Sequence, residues 1–197
     1  RKYPVMDRRV SETYAKDSKA TLRNKLSDPY VKAIRWASDR IGKEGIVAFV
    51  TNNSFIDAIA FDGMRKNLTK DFDTIYVLDL SGNVRKNPKL SGTTHNVFGI
   101  QVGVSINLFV RKKDKTDQSK IYYARVDEFW RREEKYRYLD EKQHRGNIEW
   151  QSIQPDEKNN WLAEGLHDEF ETFISMGNKK AKSSKEAEFV NLIQLEI

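Results

Sequence analysis

From Gly45 to Ile56 the chain runs through Ile46, Val47, Ala48, Phe49 and Val50 into Thr51, Asn52, Asn53 and Ser54 before Phe55. The run is apolar, β-branched and aromatic, entered through a glycine and left through a polar cluster. With no polar alternation inside it, it predicts a strand buried on both faces, as in a parallel sheet covered by helices. In open α/β sheets ligands sit outside the carboxyl ends of such strands. The cluster Thr51–Ser54 is therefore placed where a site would be, although Asn and Ser are also ordinary turn residues.

The neighbouring patterns extend this unit. Tyr30, Ala33, Ile34, Ala37 and Ile41 recur at helical spacing, with Asp28 placed to cap, Pro29 in the first turn and Gly42 at the end. Lys32, Arg35, Asp39 and Arg40 would then stay wet. Ile59, Phe61, Met64 and Leu68 predict a second helix with Arg65, Lys66 and Lys70 on its outer side, and Thr74–Leu80 a second buried strand. Helix alternating with strand across short links implies α/β architecture and parallel pairing, so Ile46–Thr51 and Ile75–Leu80 are expected as neighbouring parallel strands. Val102, Val104, Ile106, Leu108 and Val110 alternate with Gly103, Ser105, Asn107 and Phe109, predicting a strand with one strongly apolar face. No crossover helix precedes it, so it should pair antiparallel.

Further on, Ile121–Val126 predicts another strand and Asp127–Asp140 a helix leaving the main sheet. Trp150 and Trp161 flank a turn at Pro155. Leu166, Phe170, Phe173 and Ile174 suggest a short helix, 177–188 a basic loop, and Phe189–Ile193 the first strand of a second lobe.

Outside the apolar runs the chain is basic. It carries 35 Lys and Arg against 29 Asp and Glu, a formal charge of +6, over 197 residues. That balance moves polyanions, nucleic acid first, up the order of partners. Two segments concentrate the signal. Residues 1–26 read as a polar lead-in in which Arg8 and Arg9 stand near Tyr3 and Tyr14. Residues 81–96 form a long loop punctuated by Gly, Pro, Ser and Thr and made basic by Arg85, Lys86, Lys89 and His95. A polar loop of that length inside a compact domain is usually functional or mobile.

There is no cysteine, which excludes disulfides and thiolate chemistry. No metal-ligand spacing surrounds His95. No run reaches the length of a membrane span, and a reducing, cytoplasmic setting is the default expectation. The chain opens on Arg1, as an excised piece of something longer would.

Taken in order, Asp28-Pro29-Tyr30 opening a helix, Gly45–Phe55, Phe72–Leu80, and Val97-Phe98 leading into Val102–Arg111 resemble the second half of the methyltransferase domain of adenine-specific DNA methyltransferases. The segment Arg9–Ser18 with Ala20-Thr21 is most similar to single-polypeptide Type I (Type ISP) restriction-modification proteins, which join nuclease, helicase, methyltransferase and target-recognition regions in one chain. The resemblance implies a partial Rossmann-like, S-adenosylmethionine-dependent methyltransferase sheet with an antiparallel last strand. It divides the chain into residues 1–127, the trailing half of that domain, and 128–197, a linker helix and the beginning of a target-recognition region.

The family's glycine-rich cofactor loop and its Asn-Pro-Pro-Tyr or Asp-Pro-Pro-Tyr tetrapeptide are not in this sequence. The resemblance puts the catalytic motif upstream of Arg1, with S-adenosylmethionine bound by the full-length enzyme and the piece inactive alone. It implies double-stranded DNA, the missing half-domain and helicase and nuclease regions as partners. It puts Phe98 against a flipped adenine, because a ring there replaces some of the stacking an extruded base has lost. Asn52 and Asn53 would line the base pocket or only cap their loop; Asn52 stands where relatives often have proline. Arg8, Arg9, Arg85, Lys86, Lys89 and His95 are the expected DNA-facing residues. A stand-alone nucleic-acid-binding or structural α/β module is the competing expectation.

Overall fold

The computed structural model describes residues 3–90, 92–114 and 118–162. The expected helix at 166–174, the basic loop 177–188 and the final strand lie outside the described residues. The described chain runs α1 (Pro4–Val10), α2 (Pro29–Arg40), β1 (Gly45–Asn52), α3 (Asp62–Asp71), β2 (Thr74–Asp79), β3 (Val104–Arg111), β4 (Lys120–Arg125), α4 (Arg132–Lys142) and β5 (Gln151–Ile153). The strands form one mixed sheet in the order β1-β3-β2-β4-β5, an α/β arrangement consistent with a Rossmann-like fold.

The antiparallel strand is present, but its position corrects the expected pairing. β3 lies between β1 and β2 and is antiparallel to both, matching Val47 with Phe109 and Phe109 with Ile75. Ile46–Thr51 and Ile75–Leu80 run in the same direction without touching as neighbours. The crossover through α3 sets the direction of β2 and leaves open whether a strand fits between. The long loop after β2 lets the chain turn back and fill that slot.

A second correction concerns β1. It is an outer strand of the described sheet and buries one face only: Val47 and Thr51 point into the core, whereas Ile46 is 67% and Val50 51% exposed. An unbroken apolar run predicts two buried faces, and the described residues cover one of them.

The principal core lies on the face bearing Val47, Ile75, Val77, Phe109, Ile121 and Ile153, covered by Val31 and Ile34 of α2, Met64 and Leu68 of α3, and Phe55, Phe61 and Trp161. On the opposite face Leu78, Leu80, Val104 and Val126 meet Val97, with Trp130, Tyr138 and Leu139 around them. Complete burial of a Phe or Leu side chain contributes roughly 1.5–3 kcal/mol.

β3 reverses its sequence pattern. Ser105, Asn107 and Phe109 are fully buried, while Ile106, Leu108 and Val110 are half-buried. Ser105 Oγ donates to Asn107 Oδ1 (3.0 Å), and Asn107 Nδ2 to Thr51 Oγ1 (3.0 Å), so these polar groups enter the core already paired.

The segment expected as a solvated lead-in is helical. α1 continues into a π-helical turn, Ser11–Ala15, that buries Val10 and Tyr14. Gly63 makes the packing tight: a β-carbon there would stand 2.1 Å from the Tyr14 carbonyl. Two arginines expected on wet faces are also buried. Arg35 bridges Asp39 and Asp71, both at 2.7 Å. Arg65 donates Nε to the Asn159 carbonyl (2.6 Å), Nη1 to those of Phe55 and Ala58 (2.9 Å each) and Nη2 to Asn160 Oδ1 (3.2 Å). A guanidinium matched to four oxygens carries its stem into the core, which helical spacing could not reveal. Asp28 occupies the N-cap of α2, as expected, but its side chain makes no capping bond.

Candidate nucleic-acid interface

The carboxyl ends of β1 and β2 and the loop 80–103 that returns to β3 converge on one end of the sheet. β1 leaves through a short 3-10 turn, Asn53–Phe55, whose cap is Asn52: its Oδ1 accepts the Ser54 N–H at 2.7 Å. Asn52 therefore holds the turn. Asn53 is buried and looks sideways across the strand ends. Its Nδ2 donates to Asp79 Oδ1 (2.8 Å), its N–H donates to the Gly103 carbonyl (3.0 Å), and its Oδ1 has no partner.

Asp79 is the hub of this end. Besides Asn53 it accepts the Ser81 N–H (2.8 Å) and the Tyr123 hydroxyl (3.0 Å), with Arg125 Nε at 3.9 Å. The backbone then bends sharply. Ser81 has φ +54° and Gly82 φ +76°. A serine in left-handed backbone is uncommon and such conformations persist only when surroundings over-determine them. Here the Ser81 amide is held by Asp79, and its hydroxyl accepts from Arg125 Nε at 3.0 Å. None of Asp79, Ser81, Tyr123 or Arg125 stands out in the sequence; the only signal was a carboxylate near the end of an otherwise apolar strand.

The loop is shaped by Asn96, which is fully buried. Its Nδ2 donates to the carbonyls of Gly82 (3.2 Å) and Val102 (2.6 Å), and its Oδ1 accepts the N–H groups of Phe98 (2.9 Å) and Ile100 (3.4 Å). The result is a knotted base below an apolar tip. Phe98 is 62% exposed and Ile100 42%, with Gly99 between them at φ +67°. Phe98 is thus not a core residue at a strand entry. Arg85 Nε approaches Gln101 Oε1 at 3.4 Å, Lys89 is exposed, and Lys86 pairs with Asp57 in the turn after β1. His95 is half-buried, with Nδ1 3.3 Å from the Trp130 carbonyl.

Asn52, Asn53, Arg85, Lys86, Lys89, His95 and Phe98 therefore belong to one end of the sheet. Arg8 and Arg9 do not. Arg9 grips Asp39 with Nε (2.8 Å) and Nη2 (2.9 Å), and Asp39 shares Arg35 with Asp71, at the end where β1 and β2 begin. Arg8 is exposed on α1.

Among the described residues there is no group of three or more His, Asp or Glu able to hold a metal ion, and no helix long and apolar enough to cross a membrane. The two strand exits are filled. Asn53 packs where a Gly103 side chain would be, and a β-carbon on Gly82 would stand 2.6 Å from the His95 carbonyl.

The fold of this chain has counterparts among solved structures. The chain matches part of Type ISP restriction-modification enzymes. It is 36% identical to the ATP-dependent Type ISP enzyme LlaBIII bound to DNA, with TM-score 0.81 over 91% of this chain and 12% of that one. With a nuclease-deletion mutant of the Type ISP enzyme LlaGI in complex with a DNA substrate mimic it shares 31% identity and TM-score 0.78, over 86% of this chain and 14% of that one. With the DrdV–DNA complex it shares 41% identity and TM-score 0.79, over 93% of this chain and 18% of that one. The chain thus spans less than a fifth of the length of each. No protein-family model matches it, and no curated protein does.

Proposed function

We propose that this chain is the trailing part of the methyltransferase region of a restriction-modification enzyme that transfers a methyl group from S-adenosylmethionine to the exocyclic amine of an adenine flipped out of double-stranded DNA. The observation that carries the reading is the exposed Phe98 tip, mounted at the strand ends of a sheet that matches DNA-bound Type ISP enzymes over most of this chain. In this reading the cofactor and catalytic groups come from polypeptide outside these residues.

The work left to this chain is recognition. An extruded base loses stacking worth a few kcal/mol, and an accessible phenyl face restores part of it. Lys89 and Arg85, on the same loop, face phosphates and add a salt-dependent term. The bare apolar face and outer edge of β1 favour a piece of a larger sheet over a self-contained binding module: an uncovered strand of this kind invites pairing.

The test is Phe98→Ala in the intact enzyme, read by methylation of a DNA duplex and by S-adenosylmethionine titration. Methylation is expected to fall at least about tenfold, the rate equivalent of 1.4 kcal/mol of lost stacking, with cofactor affinity unchanged. Unimpaired methylation, or loss of cofactor binding instead, removes the stacking role.

A further inference from the structure

The loop that carries Phe98 is held from outside the sheet, by α4. The Arg132 N–H donates to the Thr94 carbonyl (3.0 Å), Lys135 Nζ to the His95 carbonyl (2.5 Å) and the Tyr136 hydroxyl to the Val97 carbonyl (2.6 Å). Three loop carbonyls thus point at one helix. Lys135 is the unusual member. It is fully buried, and its ammonium donates to a main-chain carbonyl rather than to a carboxylate. Burying an ammonium without such a partner is unfavourable, and an apolar side chain would fill the same space at less cost. What the lysine adds is a donor on a long arm, delivered to a single carbonyl.

That carbonyl occupies a decisive place. His95 adjoins Asn96, whose side chain holds the amides of Phe98 and Ile100. On its other side the His95 carbonyl is backed by Gly82, where a β-carbon would come within 2.6 Å. Fixing it between Gly82 and Lys135 fixes the base of the tip. The far end of the strut is anchored too: beyond α4, Trp150 packs edge-on against Tyr76 of β2, with ring centroids 5.2 Å apart.

We propose that Lys135 is a positioning residue, holding the Phe98 tip in its exposed pose through the His95 carbonyl and making α4 the strut on which the base-stacking loop is mounted. The functional consequence rests on the methyltransferase reading above; the strut itself does not.

The test is backbone amide exchange at pH 7 in Lys135→Met. Exchange at Phe98 and Ile100 is expected to accelerate about tenfold or more while the ladder amides of Leu78 and Ile106 keep their wild-type rates, the pattern of a local opening. Unchanged exchange at Phe98 overturns the proposal. Should Lys135→Met unfold the chain, Tyr136→Phe decides: faster exchange at Phe98 upholds the strut, and none overturns it. In the intact enzyme, Lys135→Met should lower kcat for methylation with KM for the cofactor unchanged. Faster exchange with undiminished methylation leaves the strut standing and removes the base-stacking reading. Lost methylation without faster exchange overturns the strut.

Discussion

A β-carbon on Gly103 would stand 2.4 Å from the Asn53 amide nitrogen, so the start of β3 and the exit of β1 approach as only a glycine permits. Gly103→Ala must displace Asn53, whose amide is one of the donors Asp79 accepts. The expected loss is about 2–3 kcal/mol, at the upper end for overpacking a close contact. Urea unfolding of the two chains checks it, and equal midpoints would mean that the strand ends have room to give.

Asp79 offers acceptors only, and the Asn53 amide, the Ser81 N–H and the Tyr123 hydroxyl all point at it. In Asp79→Asn one acceptor becomes an NH2 group facing donors. A buried donor left without its partner costs about 1–3 kcal/mol. The variant should lose that much stability, and Tyr123→Phe on the same background should then cost less than it does in the wild type. Full additivity of the two substitutions would separate Tyr123 from the Asp79 cluster.

Arg65 joins the turn after β1 to the segment 159–160 through four oxygens, and burial pulls its pKa down to about 10. A lysine has the charge without the fork. Arg65→Lys should therefore cost roughly 2–4 kcal/mol and open the 156–161 turn to proteolysis before the sheet. Wild-type resistance in that turn would show that Trp161, packed edge-on against Phe55 at 6.0 Å, holds it unaided.

Burial pulls the Lys135 pKa down to about 8, against the weaker opposing pull of Asp79, Asp127 and Glu128. Below pH 8 folded and unfolded chains both carry the proton, and the net cost of burying the charge, about 3 kcal/mol, is present. Between pH 8 and the ordinary lysine range the unfolded chain holds more protons, so stability from this group rises with pH. Denaturation of wild type and Lys135→Met at pH 7 and pH 10 should show the wild type gaining relative to the variant. A pH-independent difference would place the amine in contact with water.

For the basic loop, the expected measurement is the salt dependence of DNA affinity in the intact enzyme. Lys86 is tied to Asp57, whereas Lys89 is exposed. Lys89→Glu should weaken binding and lower the slope of log K against log salt by about 0.9, the value for one phosphate contact. Lys86→Glu should change it less, and the reverse order would put Lys86 on the phosphates.

Much of this architecture was legible in the residue pattern, and the misses share causes. The helices around Ile34 and Leu68, and the strands around Val47, Val77 and Tyr123, follow from periodicity because each buries a stripe or face of its own residues. β5 was missed because its three residues contribute one buried side chain, Ile153. Arg35 and Arg65 were read as wet, and Lys135 was not singled out, because a charged residue is buried only where distant carbonyls or carboxylates await it, and those partners are not local in the chain. At the candidate site, Phe98 and the loop's basic residues were singled out from composition and resemblance. Asp79, Asn96 and Tyr123 were not, since each matters through bonds to residues far along the chain.

By itself, then, the amino-acid order determined where the helices and strands other than α1 and β5 form, which way the chain runs through β1, α3 and β2, and that a basic loop with one aromatic interrupts the sheet. These are local matters of period, turn chemistry and crossover length. Tertiary structure alone decided that β3 slides between β1 and β2, that Ser105 and Asn107 face inward, and that a buried lysine on α4 carries the loop. Each of those depends on a hydrogen-bond partner or an open slot supplied by chain far away, and no window of neighbouring residues contains it.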